Sequence, residues 1–175
     1  MSGGRFRNAL KRTTTRVRGS RLRDARLRAH SRHLLRRLEP PFPFSVTTLC
    51  EQLGELRGSP VRLLPWELPA DGPFGMLISR DNEDVIIYQA NTTKAHQAHI
   101  ILHEIGHLIS YDLAGERPAA LSLRTCYSPA EERDAEVVAS TIMRVALTVG
   151  RRAQRDGLEQ PWRSSVYNSI VFDGG

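Results

Sequence analysis

One short motif in this chain combines residues that can bind a metal ion and act on water. His103, Glu104 and His107 belong to the run His-Glu-Ile-Gly-His. On a helix, residues four apart project from the same side about 6 Å apart along the axis, so the two imidazoles can converge on one zinc ion. Glu104 is rotated away from the ion and can reach water beside it. The spacing therefore predicts a zinc site with Glu104 as its catalytic base.

Two further histidines precede the motif and could compete for the ion. His99, His103 and His107 form a row with a spacing of four residues. On a helix, His99 and His107 would lie about 12 Å apart, which is too far for bonds of about 2 Å to a single ion. A site built from His99 and His103 would lack a glutamate after its first histidine, because Ile100 follows. We therefore expect His96 and His99 to have capping, solvent-contact or supporting roles.

A catalytic zinc ion usually has three protein ligands, and the third should come from another element. The run Ser128-Pro129-Ala130-Glu131 is typical of a helix start, with Glu131 folding back to the N-cap amide. On the helix that follows, Glu132 lies closer to the apolar stripe than Glu136 does, so Glu132 is the predicted third ligand. Glu136 is the alternative ligand, or a partner that orients a ligand imidazole. Any of these acids could instead be a solvated residue of the first helical turn, where the helix dipole favours negative charge.

Hydrophobic periodicity predicts the elements that must position these residues. Helical spacing of apolar residues predicts helices from Ser45 to Leu56, from Ala95 to about Tyr111 and from Pro129 to about Val149. Apolar runs between turn signals predict strands at Val61 to Leu64, Gly75 to Ser79 and Val85 to Tyr88, the last two as a hairpin. Within the motif, Gly106 should leave room beside His107, and the neighbouring Ile and Leu side chains should pack on the opposite face. The order of elements indicates an α+β fold with a small sheet.

Positive charge is concentrated at the N-terminus of the 175 residues. Residues 1–39 hold 13 Lys and Arg against Asp24 and Glu39, a net charge of +11, whereas residues 40–175 hold 12 against 17, a net charge of −5. We expect residues 1–39 to be a basic tail that is disordered or partly helical. Its arginines could contact nucleic acid or an acidic partner, or remain solvated. An Arg-rich, acid-poor N-terminus is also a feature of organellar transit peptides.

Proline marks the expected start of the folded domain. The run Pro40-Pro41-Phe42-Pro43 stops any helix before it, so the domain is expected at 42–150, followed by a C-terminal extension at 151–175. No run of 18 apolar residues occurs and the N-terminus is charged, which predicts a soluble, non-exported protein with no membrane partner. Cys50 and Cys126 lack CxxC spacing and are expected to be reduced and buried, which predicts a cytoplasmic compartment.

These motifs together resemble a known family. The run from His103 to His107, an Ile/Leu-rich turn before it, and Glu132-Arg133-Asp134-Ala135-Glu136-Val137-Val138-Ala139 about 25 residues later are similar to motifs of the ImmA/IrrE-type metallopeptidases. The resemblance covers roughly residues 45–148 and includes the order of the upstream helix and strands. Two positions differ from the usual pattern: Val138 replaces a common aromatic residue, and Met143-Arg144 replaces a frequent Met-Pro.

The resemblance implies a zincin-like domain of the gluzincin type, with a small sheet, an HExxH helix and a following helix that carries the glutamate ligand. Members of the family are bacterial or phage regulators that cleave a partner transcriptional repressor, often encoded beside them, and some are described as toxin components of toxin–antitoxin pairs. We therefore expect a regulatory zinc peptidase whose protein substrate is a helix-turn-helix repressor. The alternative is a zinc-binding regulator or toxin component that acts by binding and does not cleave.

Overall fold

The computed structural model describes residues 3–39, 44–115, 122–124 and 127–155, with side chains at 19–39, 44–115, 127–152 and 155. Within these residues the chain has an α+β fold of four helices and a four-stranded sheet. The elements are α1 (Gly3–Leu38), α2 (Val46–Arg57), β1 (Val61–Trp66), β2 (Gly75–Ser79), β3 (Asp84–Gln89), α3 (Lys94–Ala114), β4 (Ser122–Arg124) and α4 (Pro129–Arg155). None of the described helices has an apolar stretch of the length that crossing a lipid bilayer requires.

The strands follow the order β1-β3-β2-β4 across the sheet. The predicted hairpin is confirmed: β2 and β3 are antiparallel, with Met76 opposite Ile87 and Ser79 opposite Asp84. β1 lies parallel to β3, and the short β4 is antiparallel to β2. The sequence predicts neither of these last two pairings, because a strand's apolar pattern indicates which face is buried but does not identify a neighbour distant in sequence.

The helix α3 runs through the core of the molecule. The side chains assigned to its packing face are at most 2% exposed: Ile101, Leu102, Ile105, Leu108 and Ile109. On the other side of the helix, Glu104 is 4% and His107 is 1% exposed, whereas His103 is half-buried. Glu104 and His107 therefore lie inside the fold, where their polar groups need partners.

The second half of α1 belongs to the packed part of the molecule. Leu27, Leu34 and Leu35 are buried in the same core cluster as Ile142 of α4. The packed chain therefore begins before Phe42, the start that the proline run predicts. The three leucines, at i, i+7 and i+8, form a narrow apolar stripe on a helix of otherwise polar composition. Only contact with α4 shows that the stripe is buried.

Two ion pairs join α1 to the first turns of α4. Arg23 Nε donates a hydrogen bond to Asp134 Oδ2 at 2.6 Å, and Arg133 Nη2 donates to Asp24 Oδ2 at 2.7 Å. Both carboxylates are buried, and the Arg133 guanidinium lowers the pKa of Asp24 below its usual value. Each helix thus supplies one arginine and one aspartate, which hold α4 directly after Glu132.

The remaining sequence predictions concern the chain ends and the cysteines. α4 continues to Arg155, past the boundary at residue 150 between the predicted domain and its C-terminal extension. The proline run at 40–43, residues 156–175 and Cys126 lie outside the described residues. Cys50 is a free, buried thiol, as expected, and burial raises its pKa to about 12 because it disfavours the thiolate.

Candidate metal centre

The motif lies on a helix that is capped at both ends. At the start of α3, the Thr93 hydroxyl accepts a hydrogen bond from the backbone N–H of His96 at 3.2 Å. At its end, Gly115 has a φ of 71°, a left-handed conformation that glycine adopts without strain. Between the caps, His103 and His107 lie one turn apart, with ring centroids separated by 4.9 Å. The prediction that the motif is helical is confirmed.

Three ligand atoms converge at this point of the fold. The Nε2 atoms of His103 and His107 are 3.2 Å apart; Glu132 Oε2 is 3.1 Å from the first of them, and Glu132 Oε1 is 4.0 Å from the second. Ligand atoms about 2.1 Å from one tetrahedral ion would lie about 3.4 Å from one another. In the described part of the chain, this is the one group of His, Cys, Asp and Glu side chains spaced to hold a metal ion. These three residues could therefore hold a metal ion.

The start of α4 brings Glu132 to the imidazoles. The backbone N–H of Ser128 donates to Glu131 Oε2 at 2.8 Å, and the N–H of Glu131 donates to Ser128 Oγ at 3.3 Å. This is the predicted capping box, with Pro129 at the first helical position. Because Glu131 is engaged by the helix end, it is the next residue, Glu132, that faces His103.

Gly106 allows α3 and α4 to approach closely. A Cβ atom at this position would lie 2.4 Å from the backbone oxygen of Ala135 and 2.8 Å from its Cα. Such distances are far inside van der Waals contact, so any side chain would force the helices apart. The motif alone predicts room beside His107. In the structure, that room is filled by the backbone of α4, three residues after Glu132.

Glu136 approaches the same imidazole from a different side. Its Oε2 is 3.9 Å from Nδ1 of His103, whereas Glu132 lies beside Nε2. Glu136 is also absent from the group of converging ligand atoms among the described residues. The two glutamates thus have different positions: Glu132 faces the point of convergence, and Glu136 approaches the ring nitrogen through which a partner orients a ligand imidazole.

Glu104 is a buried carboxylate beside the three converging side chains. It lines the same cleft as His103 and Glu132, and its Oε2 has no hydrogen-bond partner among the described residues. Burial, followed by the negative charge of Glu132, raises the pKa of Glu104 to about 8. A buried carboxylate with an unused acceptor atom is stabilised by a nearby cation or proton donor. The unpartnered Glu104 carboxylate is therefore a second feature that fits a metal site, because a metal ion or a water molecule beside it could be the missing partner.

The cleft has a volume of about 330 Å³ and lies between the start of β2 and the helices α3 and α4. Phe74 and Gly75 form part of one wall, and Ile100 and Glu104 form part of another. At Gly75 a Cβ atom would lie 2.7 Å from Glu104 Oε1 and 2.6 Å from Cγ2 of Ile100. Glycine therefore lets the β2 backbone pass directly against the Glu104 carboxylate. The volume is within the range of small-ligand sites in proteins.

The two histidines before the motif do not join the converging group. His96 Nδ1 is 2.9 Å from the Thr92 hydroxyl, and its ring lies 5.3 Å from that of Phe74. His99 is exposed at the cleft. The exposure of His99 agrees with the solvent contact expected from the sequence, whereas the cap of α3 is the Thr93 hydroxyl and not a histidine.

Sequence reasoning did not identify Tyr127 as part of the site. Its ring stacks on His107, with centroids 3.5 Å apart and planes 10° from parallel. This contact restricts rotation of an imidazole whose direction matters for binding. The available signal is weak: Tyr127 directly precedes the N-cap Ser128, where an apolar residue often packs against its own helix. That rule does not point to a residue on α3.

No family model, curated protein or solved structure matches the chain. The residues of the site therefore carry the evidence for function.

Proposed function

We propose that this chain is a zinc-dependent metallopeptidase with a zincin-like domain. The main support is that the ligand atoms of His103, His107 and Glu132 lie close enough to one another to share one metal ion. Two imidazoles and one carboxylate are a donor set used by zinc in peptidases. The resemblance to the ImmA/IrrE-type metallopeptidases, based on the same residues, adds to this support.

The proposed reaction is hydrolysis of a peptide bond. Zinc, when bound, supplies positive charge that polarises a carbonyl group and favours the ionisation of water. Glu104 would accept the proton of the attacking water and return it to the leaving amine. Its unpartnered Oε2 and its position in the wall of the cleft suit this role. His103, His107 and Glu132 would hold the ion, while Glu136 and Tyr127 restrict the imidazoles.

The proposed substrate is a partner transcriptional repressor of the helix-turn-helix class, which makes the enzyme a regulatory protease. This choice follows from the resemblance. One structural feature is compatible with a protein substrate: Phe74 is about half exposed and lines the cleft, where it offers an apolar surface to a substrate side chain.

Cleavage of a candidate repressor by zinc-loaded protein tests this function. Glu104→Gln should retain about one zinc ion per chain but cleave about 10²- to 10⁴-fold more slowly, because the general base is lost. Glu67→Gln is the matched control at an exposed glutamate and should cleave like the wild type. His107→Ala should lose both the metal and the activity.

Three results would contradict the proposal in different ways. Equal cleavage by Glu104→Gln and the wild type would rule out Glu104 as the base. Retention of zinc after replacement of both His103 and His107 would rule out the ligand assignment. A zinc-loaded wild type that binds the repressor without cutting it would favour the alternative of a non-proteolytic regulator or toxin component.

A further inference from the structure

The outward face of α1 is strongly basic. Apart from Arg23, which pairs with Asp134, five arginines of its packed half are exposed. Their side chains form no ion pair or hydrogen bond with another described residue: Arg21, Arg26, Arg32, Arg36 and Arg37. At 100° per residue they lie within an arc of about 160°, opposite the buried leucines. They extend over about 24 Å of helix axis, a length over which duplex DNA presents about 14 charges.

Neither of the two acidic residues in positions 1–39 forms an ion pair with these five arginines. Asp24, one of two acids in residues 1–39, is turned into the protein and bound to Arg133. The other, Glu39, follows the last residue of α1. The positive charge of the outward face is therefore not neutralised within the helix, and it is held on a rigid element by the contacts with α4.

We propose that the outward face of α1 binds the phosphate backbone of nucleic acid without reading its sequence. Charge complementarity is the first reason, because phosphate contacts dominate non-specific affinity. The residue type is the second: of 13 cations in residues 1–39, 12 are arginine. The planar guanidinium donates two parallel hydrogen bonds to a phosphate, which the ammonium of lysine does not. This binding is separate from the peptidase activity and does not depend on it.

A membrane surface fits this helix less well than nucleic acid does. A helix that lies on a membrane inserts a broad apolar face among the lipids. In α1 the apolar residues Leu27, Leu34 and Leu35 are already buried in the protein core. On the described outward face, Leu22 is the one large apolar side chain that is exposed, at 71%. Polar contact with phosphates requires no such apolar face.

The test measures binding of the full-length, zinc-loaded chain to a short duplex DNA and to a single-stranded RNA over a series of salt concentrations. Affinity should fall steeply with salt and should not change when the DNA sequence is scrambled. In the triple variant Arg32→Gln, Arg36→Gln, Arg37→Gln, the slope of log affinity against log salt should be smaller by about 2 to 3. Its affinity near 0.1 M salt should fall by about tenfold or more. The nucleic acid with the higher affinity, duplex DNA or single-stranded RNA, identifies the source of the phosphates.

A second triple variant is the matched control. Arg62→Gln, Arg80→Gln, Arg144→Gln removes the same charge from exposed positions outside α1 and should keep the wild-type slope. The proposal would be overturned if the two triple variants lost the same nucleic-acid affinity. It would also be overturned if the α1 variant kept the wild-type slope of log affinity against log salt. Binding to phosphatidylserine vesicles but to neither nucleic acid would also overturn it.

Two further measurements distinguish a loss of nucleic-acid binding from a folding defect and from a loss of peptidase activity. The α1 triple variant must retain the wild-type circular dichroism and zinc content. If it does not, Arg32→Gln alone is used, with an expected decrease in slope of about 1. Glu104→Gln should bind nucleic acid like the wild type, so a failure of one proposal leaves the other testable.

Discussion

The first turns of α4 face two different neighbours, and the two contacts depend on different kinds of information. On one side, Glu132 lies 3.1 Å from His103 of α3. On the other side, Arg133 and Asp134 form ion pairs with α1. The two parts of the metal-binding side follow from short spacings, since its histidines are four residues apart and its capping box spans four residues. Only the meeting of these two parts, 29 positions apart, is not local. The α1 side joins residues 109 and 111 positions apart, which no local pattern indicates.

Position and chemistry are separable in α4. Gly106 determines where the helix crosses α3, the α1 ion pairs stabilise its other side, and Glu132 supplies the donor atom. Substitutions that move the helix should therefore affect both stability and zinc binding. Substitutions of the donor should affect zinc binding alone, and substitutions on the α1 side should mainly affect stability.

The largest effect is expected where α3 and α4 cross. Gly106→Ala would place a Cβ atom 2.4 Å from the Ala135 oxygen and should lower the free energy of unfolding by about 3 kcal/mol. Because the crossing also positions Glu132, zinc affinity should fall with it. Gly19→Ala is the matched control: no atom lies within 4 Å of the added Cβ, and helix propensity should raise stability by about 0.5 to 1 kcal/mol.

Urea unfolding of the metal-free protein and zinc titration measure these two changes. If Gly106→Ala were as stable as the wild type, the close crossing of α3 and α4 would be incorrect. Loss of stability with unchanged zinc affinity would instead show that the crossing does not determine the position of Glu132.

The next effect separates the two glutamates on the metal side. Glu132→Gln should weaken zinc binding by at least about 100-fold, since loss of a ligand should exceed the 10- to 100-fold loss typical of an orienting partner. Glu136→Gln should weaken it by about tenfold, because Glu136 lies 3.9 Å from His103 Nδ1. Competition with a chelator gives both affinities. A larger loss for Glu136→Gln would exchange the roles of the two residues.

The smallest effect is expected on the α1 side. Arg23→Ala removes the partner of the buried Asp134 and should lower the free energy of unfolding by about 1 kcal/mol. The effect is modest because Arg23 is largely exposed and the pair is screened by solvent. Arg32→Ala, at an exposed arginine, should change stability by less than about 0.5 kcal/mol. If Arg23→Ala lost more free energy of zinc binding than free energy of unfolding, the two sides of α4 would not be separable.

Much of the fold follows from local patterns. The helices α2, α3 and α4 and the strands β1, β2 and β3 lie where apolar periodicity predicts them, because burial of one face determines which residues must be apolar. The parallel pairing of β1 with β3 and the burial of Leu27 could not be predicted in this way. Both depend on contacts between segments that are distant in the sequence. A short stretch of sequence does not indicate which distant segment it will contact.

In the site, too, the features within one element could be predicted from the sequence, and the contacts between elements could not. The convergence of His103 and His107 is a property of one helix, and the capping box of α4 is a property of four consecutive residues. Tyr127 beside His107 and Gly75 beside Glu104 are contacts between different elements. Neither residue type is unusual where it occurs, so neither attracts attention before the elements are assembled.

By itself, the sequence determined the directions of side chains within each helix, because helical geometry relates residues three and four positions apart. Only the tertiary structure decided that Glu132 meets the imidazoles, that Glu136 takes the other side of His103, and that half of a basic segment is a packed helix. The physical reason is that a donor atom binds only where separate elements bring it within reach. That distance is determined by close packing, such as the contact of Gly106 with α4, and not by the chemistry of the donor.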